Sequence, residues 1–225
     1  MIIDVLTLFP NMFSSVLNES IVRRALKMNA VEINITDIRD FTFNKNRQVD
    51  DYPYGGGAGM VIKAEPISLA LDFVLKAEKP PVIYFTPQGR LLKQKVVREY
   101  SKEERIVLLC GHYKEIDQRI RDIYVTDEIS VGDYVLSGGE IPAMMMIDAL
   151  ARLQENVLSD IESALTDSHN SNLLGCPHYT RPNNFKGNFV PAVLISGNHK
   201  KIAEWRNKKA MELTKKRRPD LLKDE

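Results

Sequence analysis

The chain has 225 residues, 44% of them hydrophobic and 27% charged, an ordinary globular composition with room for one well-buried domain and a smaller appendage. No apolar run approaches the roughly 18–20 residues needed to cross a bilayer, so no membrane span is expected. The two cysteines, Cys110 and Cys176, cannot build a disulfide framework. Net charge is only +1, yet the segment from Asn198 to Pro219 holds nine Lys or Arg against two Glu. That local +7 leaves −6 for the remainder, and an acidic body with a basic tail points to a polyanionic partner as readily as to a solvated helix face.

In chain order, the opening MIIDVLTLFPNMF lacks a basic lead and a cleavage site, so it reads as a strand over about Ile3 to Leu8 and implies a cytoplasmic location. A helix from about Asn11 to Lys27, a strand around Val31 to Ile35 and a polar loop follow. Next come a helix near Pro66 to Leu75, a strand Val82 to Phe85, a helix Leu92 to Tyr100, a strand Ile106 to Cys110, a helical turn after Glu115 and a strand ending near Ser130. This alternation argues for an α/β fold with a mostly parallel sheet covered on both faces. The helix Ile141 to Leu153 carries Met144, Met145 and Met146, three consecutive positions that cannot share one ligand-facing stripe, so core filling is expected. A polar span then gives way to a strand-like run, Val190 to Ile195, and to a basic helix from about Lys200 with Ile202, Trp205 and Leu213 roughly on one side. The expected division is an α/β domain over 1–155, an interdomain loop over 156–172 with flexible character, and a small basic helical domain over 173–225.

Three strands run into glycine-bearing loops: Thr86-Pro87-Gln88-Gly89-Arg90, then Cys110-Gly111-His112-Tyr113, then Val131 to Glu140. Loops leaving the carboxyl ends of strands in an open α/β sheet build its ligand crevice. Glycine there lets backbone polar groups approach a ligand closely, which suits the edge of an adenine. The bland alternative, tight turns alone, is weakened by three such loops occurring in order. Neither a Walker-type nor a dinucleotide-binding glycine fingerprint is present, so an adenosine-containing ligand without a phosphate chain, such as S-adenosylmethionine, is favoured. Four glycines among residues 55–59, after Asp50-Asp51-Tyr52-Pro53, read as a loop whose backbone must come close to something. The spacings Cys110-x-His112 and Cys176-x-His178 are tighter than zinc sites use, so buried thiols are expected.

Taken together, these residues resemble the bacterial tRNA (guanine-N1)-methyltransferases, which modify the guanosine on the 3′ side of the anticodon. The resemblance runs over nearly the whole chain: Leu8-Phe9-Pro10, Val49-Asp50-Asp51, the glycine cluster, Pro87-Gln88-Gly89, Val131 to Pro142, Thr166-Asp167-Ser168, Cys176 to Pro182, Ser196 to His199, and Arg217-Arg218-Pro219. It implies a sheet domain with a deep trefoil knot, a feature that composition and periodicity do not reveal, and a small helical C-terminal domain. It further implies S-adenosylmethionine as methyl donor, held by Tyr84, Pro87, Gly89, Gly111, Tyr113, Val131, Gly132, Asp133, Tyr134, Val135, Leu136, Gly138, Gly139 and Pro142. A tRNA with G beside the anticodon would be the substrate, and a homodimer would form the active site at its interface.

Guanine N1 is protonated at neutral pH, so its methylation needs a base, and negative charge builds on O6 as the proton leaves. The resemblance places Asp167 and Arg152 in those two roles. Read without it, an Asp in a polar loop is more simply a cap or a solvated charge. Two departures stand out: Lys114-Glu115 follow Tyr113 where many relatives have Glu-Gly, which leaves Glu115 as the candidate for the family's Mg2+, and Tyr52 stands where an arginine is common.

Rival readings are an RNA-binding protein that lost catalysis, against which Asp167 argues, and a ribose methyltransferase, for which Asp167 would be dispensable. A nicotinamide or flavin enzyme is disfavoured by the missing fingerprint, and a cysteine nucleophile by the lack of an activating base beside Cys176.

Overall fold

The computed structural model describes residues 1–76, 78–158, 167–169 and 172–222. The expected flexible loop over 156–172, and Thr166 within its motif, fall largely or wholly outside the described residues. The chain divides into two units, Met1–Ser159 and Asp160–Glu225.

The first unit is built on β1 (Ile2–Thr7), α1 (Ser14–Leu17), α2 (Ser20–Lys27), β2 (Glu32–Asp37), β3 (Asp50–Asp51), β4 (Val61–Ile62) and α3 (Ala64–Leu75). It continues through β5 (Val82–Leu91), α4 (Gln94–Tyr100), β6 (Arg105–Leu109), β7 (Glu115–Ile116), α5 (Gln118–Tyr124), β8 (Asp127–Ser130) and α6 (Glu140–Ala151). Five strands form one sheet in the order β2-β1-β6-β5-β8, and each neighbouring pair is parallel. Successive side chains on a strand face opposite sides, and the cores follow that rule. Ile3, Val5, Ile83, Phe85, Ile106 and Leu108 pack with Val22 of α2, Val96 and Val97 of α4, and Met146, Ile147 and Leu150 of α6. Leu6, Val82, Tyr84, Val107 and Leu109 pack on the other face with Ile67 and Leu71 of α3 and Ile120 of α5. Strands buried on both faces read as unbroken β-branched runs, which is why they stand out in the sequence.

Three expectations are corrected. The first helix is not continuous: a 3-10 turn, Pro10–Phe13, leads into α1, and α2 starts afresh at Ser20. Asn18 closes α1 by donating its side-chain amide to the Ser14 carbonyl at 2.7 Å, and Ser20 at φ 51° turns the chain. Strand β5 runs past Phe85, because Phe85 and Arg90 both lie opposite Ile129 on β8 and the residues between them loop out. Val190 to Ile195 is not a strand. Pro191 removes a ladder donor, and a 3-10 helix, Ala192–Ile195, follows it.

In the second unit, β9 (Asn184–Phe185) and β10 (Asn188–Phe189) form an antiparallel hairpin. Its turn residues Lys186 and Gly187 both have positive φ, 53° and 82°, the backbone that a two-residue hairpin requires. The helix α7 (His199–Arg217) starts where the Asn198 side chain accepts the Lys201 N–H at 3.1 Å. Ala210 and Thr214 are buried on it and Ile202, Trp205 and Leu213 half-buried, so its apolar side is the expected one; Lys209 is half-buried beside it, and the other Lys and Arg of the helix are exposed.

Candidate active site

The loops leaving β5, β6 and β8 meet at the carboxyl end of the large sheet around a cavity of about 100 Å³. Its wall includes Tyr84, Phe85, Thr86 and Pro87 from β5, Gly111 to Glu115 from the loop after β6, and Ile129 to Gly132, Tyr134, Leu136 to Gly139 and Pro142 from β8 onward. Short contacts lock the loops together. The Gly139 N–H donates to the Gly111 carbonyl at 2.8 Å, and His112 bridges to Gly138 in antiparallel fashion. The rings of Phe9 and Tyr113 flank His112 at 4.7 and 5.5 Å.

Each glycine here answers to a neighbour. A Cβ on Gly111 would meet the Tyr84 hydroxyl at 2.6 Å, and one on Gly139 would meet the Cα of Cys110 at 2.8 Å. Behind Gly138 lies Glu140, only 1% exposed, which accepts a hydrogen bond from the Thr7 hydroxyl at 2.8 Å. Thr7 in turn accepts from the Phe9 N–H at 2.9 Å. Thus the start of α6 is pinned to the end of β1, and the third loop with it.

A second polar group lies under the Tyr84 side of the wall. The Tyr84 hydroxyl donates to Glu115, and burial, followed by this bond, pushes its pKa well above the ordinary phenol value. Arg121 of α5 donates to both carboxylate oxygens of Glu128 at 2.8 and 2.7 Å, to Gln88 at 2.9 Å and to Glu115 at 3.4 Å. Its guanidinium also lies 5.6 Å from the Tyr84 ring centroid. Glu115 therefore holds its two oxygens toward Tyr84 and Arg121, a poor fit to a cation ligand. Among the described residues no group of three or more His, Cys, Asp or Glu could hold a metal ion, so no step is assigned to Mg2+. Cys110 is fully buried, and burial raises its thiol pKa well above the usual range. Cys176 is half-buried, less than expected.

The glycine cluster lies between β3 and β4, and its backbone conformation is by itself a reason for glycine. Gly55, Gly56 and Gly57 have φ of 84°, 77° and 109°, and a Cβ on any of them would meet nothing within 4 Å. Positive φ requires glycine there, and close approach holds only at Gly59, against Lys114 at 3.4 Å. Lys114 also donates its backbone N–H to Met60 at 3.0 Å, and β4 pairs with β7, so this loop is tied to the cavity's edge.

The model for the family described as tRNA (Guanine-1)-methyltransferase TrmD matches residues 1–224. The chain belongs to this family. It is 54% identical to the tRNA (guanine-N(1)-)-methyltransferase of Anoxybacillus flavithermus over 98% of this chain and 91% of that relative. Against the protein of the same name from Clostridioides difficile it is 51% identical, over 97% and 96% of the two chains. The same identity, over 98% and 89%, relates it to the one from Moorella thermoacetica.

Of the fourteen positions read as donor-binding by likeness to the tRNA (guanine-1)-methyltransferases, eleven line the cavity. Gly89, Asp133 and Val135 do not. A Cβ on Gly89 would run into the backbone of Glu128 and Ile129, so this glycine lets β5 return to β8, while Val135 is 92% exposed and Asp133 is exposed too. Arg152 caps the C-terminus of α6 and is not part of the cavity wall, and Asp167 is an exposed residue of the second unit. The three loops expected to build the crevice already contain Thr86, His112 and Ser137; Phe85, Lys114, Glu115, Ile129 and Ser130 line the wall from just outside those loops. Their position directly beside the loop segments was the available signal. Among the described residues no helix is long and apolar enough to cross a membrane.

Proposed function

We propose that this protein transfers a methyl group from S-adenosylmethionine to N1 of the guanosine on the 3′ side of the tRNA anticodon. The observation that carries the reading is the convergence of three strand-end loops on one cavity, in a chain that belongs to the tRNA (guanine-1)-methyltransferase family. The wall fits the donor chemically. Tyr84, Tyr113, Tyr134, Leu136, Ile129 and Pro142 offer aromatic and apolar surface, and among the described residues Lys114 is the one Lys or Arg on the wall, which suits a purine without phosphates. At about 100 Å³ the cavity is below the ~300–1,000 Å³ of small-molecule sites. Tyr134 lies against Gly132 and is 54% exposed, so turning its ring outward would widen the cavity.

S-adenosylmethionine, when bound, supplies an electrophilic methyl group. In this reading Asp167 accepts the N1 proton, freeing the nitrogen lone pair, and Arg152 offsets the charge that develops on O6. Two copies of the chain form a homodimer with the active site at their interface, so that each Asp167 serves the donor held by the other copy. The first unit carries the donor site within a deep trefoil knot, the second, through α7, holds tRNA, and the enzyme works in the cytoplasm. Support for these finer assignments is the match over residues 1–224 and the residues quoted above.

The test is methyl transfer from labelled S-adenosylmethionine to an unmethylated tRNA transcript, with the product nucleoside identified. We expect 1-methylguanosine from wild type and a loss of at least about 100-fold in Asp167→Ala, the size of a lost general base. Label on a ribose oxygen with Asp167→Ala unaffected would instead indicate a ribose methyltransferase. No transfer to any tRNA would leave a binding protein.

A further inference from the structure

Arg121 stands apart from the residues already given roles. Its side chain is only 7% exposed, and a buried guanidinium is held in place only where its donors are matched. Its partners are not neighbours in sequence. Gln88 lies in the excursion of β5, Glu115 at the end of the loop from β6, and Glu128 on β8. These are the three segments that build the cavity wall. Through Glu115 the contact reaches the Tyr84 hydroxyl, which borders the space a Gly111 side chain would need. One cation thus ties the excursion of β5 and the loop from β6 to strand β8, from whose end the third loop leaves, and through Glu115 it sets the direction of the phenol that abuts Gly111.

We propose that Arg121 is a positioning residue for donor binding, acting through Glu115 on Tyr84 and through Gln88 and Glu128 on the flanking strands. It touches neither the transferred methyl group nor the guanine. Its effect is to hold the wall in a single arrangement before the donor arrives, which lowers the cost of ordering on binding. The proposal rests on the reading of the cavity as the donor site.

The experiment measures S-adenosylmethionine binding by titration calorimetry, and the donor KM and kcat, for wild type, Arg121→Met, Glu115→Gln and the double variant, with a melting curve for each. Arg121→Met should weaken donor binding roughly tenfold, the order expected for coupled polar neighbours, and the loss should appear in donor KM rather than kcat. Glu115→Gln keeps an acceptor for Tyr84 but loses most of the attraction to Arg121. It should therefore weaken binding in the same direction, and the double variant should be no worse than Arg121→Met alone. Should Arg121→Met fail to fold, Glu115→Gln carries the test, being a partly exposed, nearly isosteric change. Unchanged donor affinity in whichever of the two folds, even with a lower melting temperature, would overturn the proposal and leave Arg121 a staple between α5 and β8. Wild type that does not bind the donor would overturn the reading of the cavity itself, and the proposal with it.

Discussion

A Cβ on Gly139 would sit 2.8 Å from the Cα of Cys110 and 3.3 Å from its Cβ, and neither backbone nor buried thiol has room to retreat. Gly139→Ala should therefore displace the start of α6 at a cost of about 1–3 kcal/mol, the range for overpacking. A lower melting temperature with weaker donor binding is the expected result. Gly56→Ala meets no atom but keeps φ near +77°, so it should cost about 1–2 kcal/mol of backbone strain and leave donor binding intact. Titration calorimetry on both variants separates crowding from strain. Tyr100 offers a pH test away from the cavity. Its hydroxyl donates to Asp127 at 2.5 Å, and burial, then this bond, raises its pKa. A raised pKa means stability that is complete below the unfolded value of about 10 and is lost as pH climbs toward the folded value. Wild type should lose melting temperature above about pH 10, and Tyr100→Phe should lose less over the same interval.

Among the elements, α6 shows why three adjacent methionines are not equivalent. Met146 is fully buried against the sheet, whereas Met145, about 100° away round the helix, is 44% exposed. Met146→Ala should cost about 2–5 kcal/mol as a core truncation, and Met145→Ala should stay within about 0.5 kcal/mol; the urea midpoint of each variant gives the comparison. The expectation of core filling holds for Met146 and in part for half-buried Met144, which packs against the core, but not for Met145, because helical periodicity lets only part of a run of three face inward. The strands were legible, since Val82 to Phe85 and Ile106 to Cys110 bury both faces and so lack polar alternation. The continuation of β5 beyond Phe85 was not, because it depends on Gly89 meeting the backbone of Glu128, a contact 39 residues along the chain. The same limit applies at the site. The glycines after each strand betrayed the loops, but Arg121 could not be linked to Gln88 without the parallel order that brings β5 beside β8.

At the scale of the molecule, the uneven distribution of charge has a measurable consequence. The Asn198 to Pro219 segment carries +7 within a chain of net +1, and α7 presents most of those cations as exposed side chains. Lys215, Lys216 and Arg217 form its last turn, where cations also complement the helix dipole. If α7 holds the tRNA backbone, each phosphate it neutralises releases counterions and adds about 0.7–0.9 to the slope of log K against log salt. Replacing Lys215, Lys216 and Arg217 together by Gln should then weaken tRNA binding and flatten that slope by roughly two. The weakening should be similar for tRNAs with and without G beside the anticodon, because phosphate contacts carry no sequence information. Donor affinity should not move, since none of the three lines the cavity. Filter-binding isotherms at four or five salt concentrations give the slopes. A variant with the wild-type slope would mean that these three cations serve only as a solvated face, and the tRNA contacts would have to be sought among the other six Lys and Arg of the segment or elsewhere on the chain.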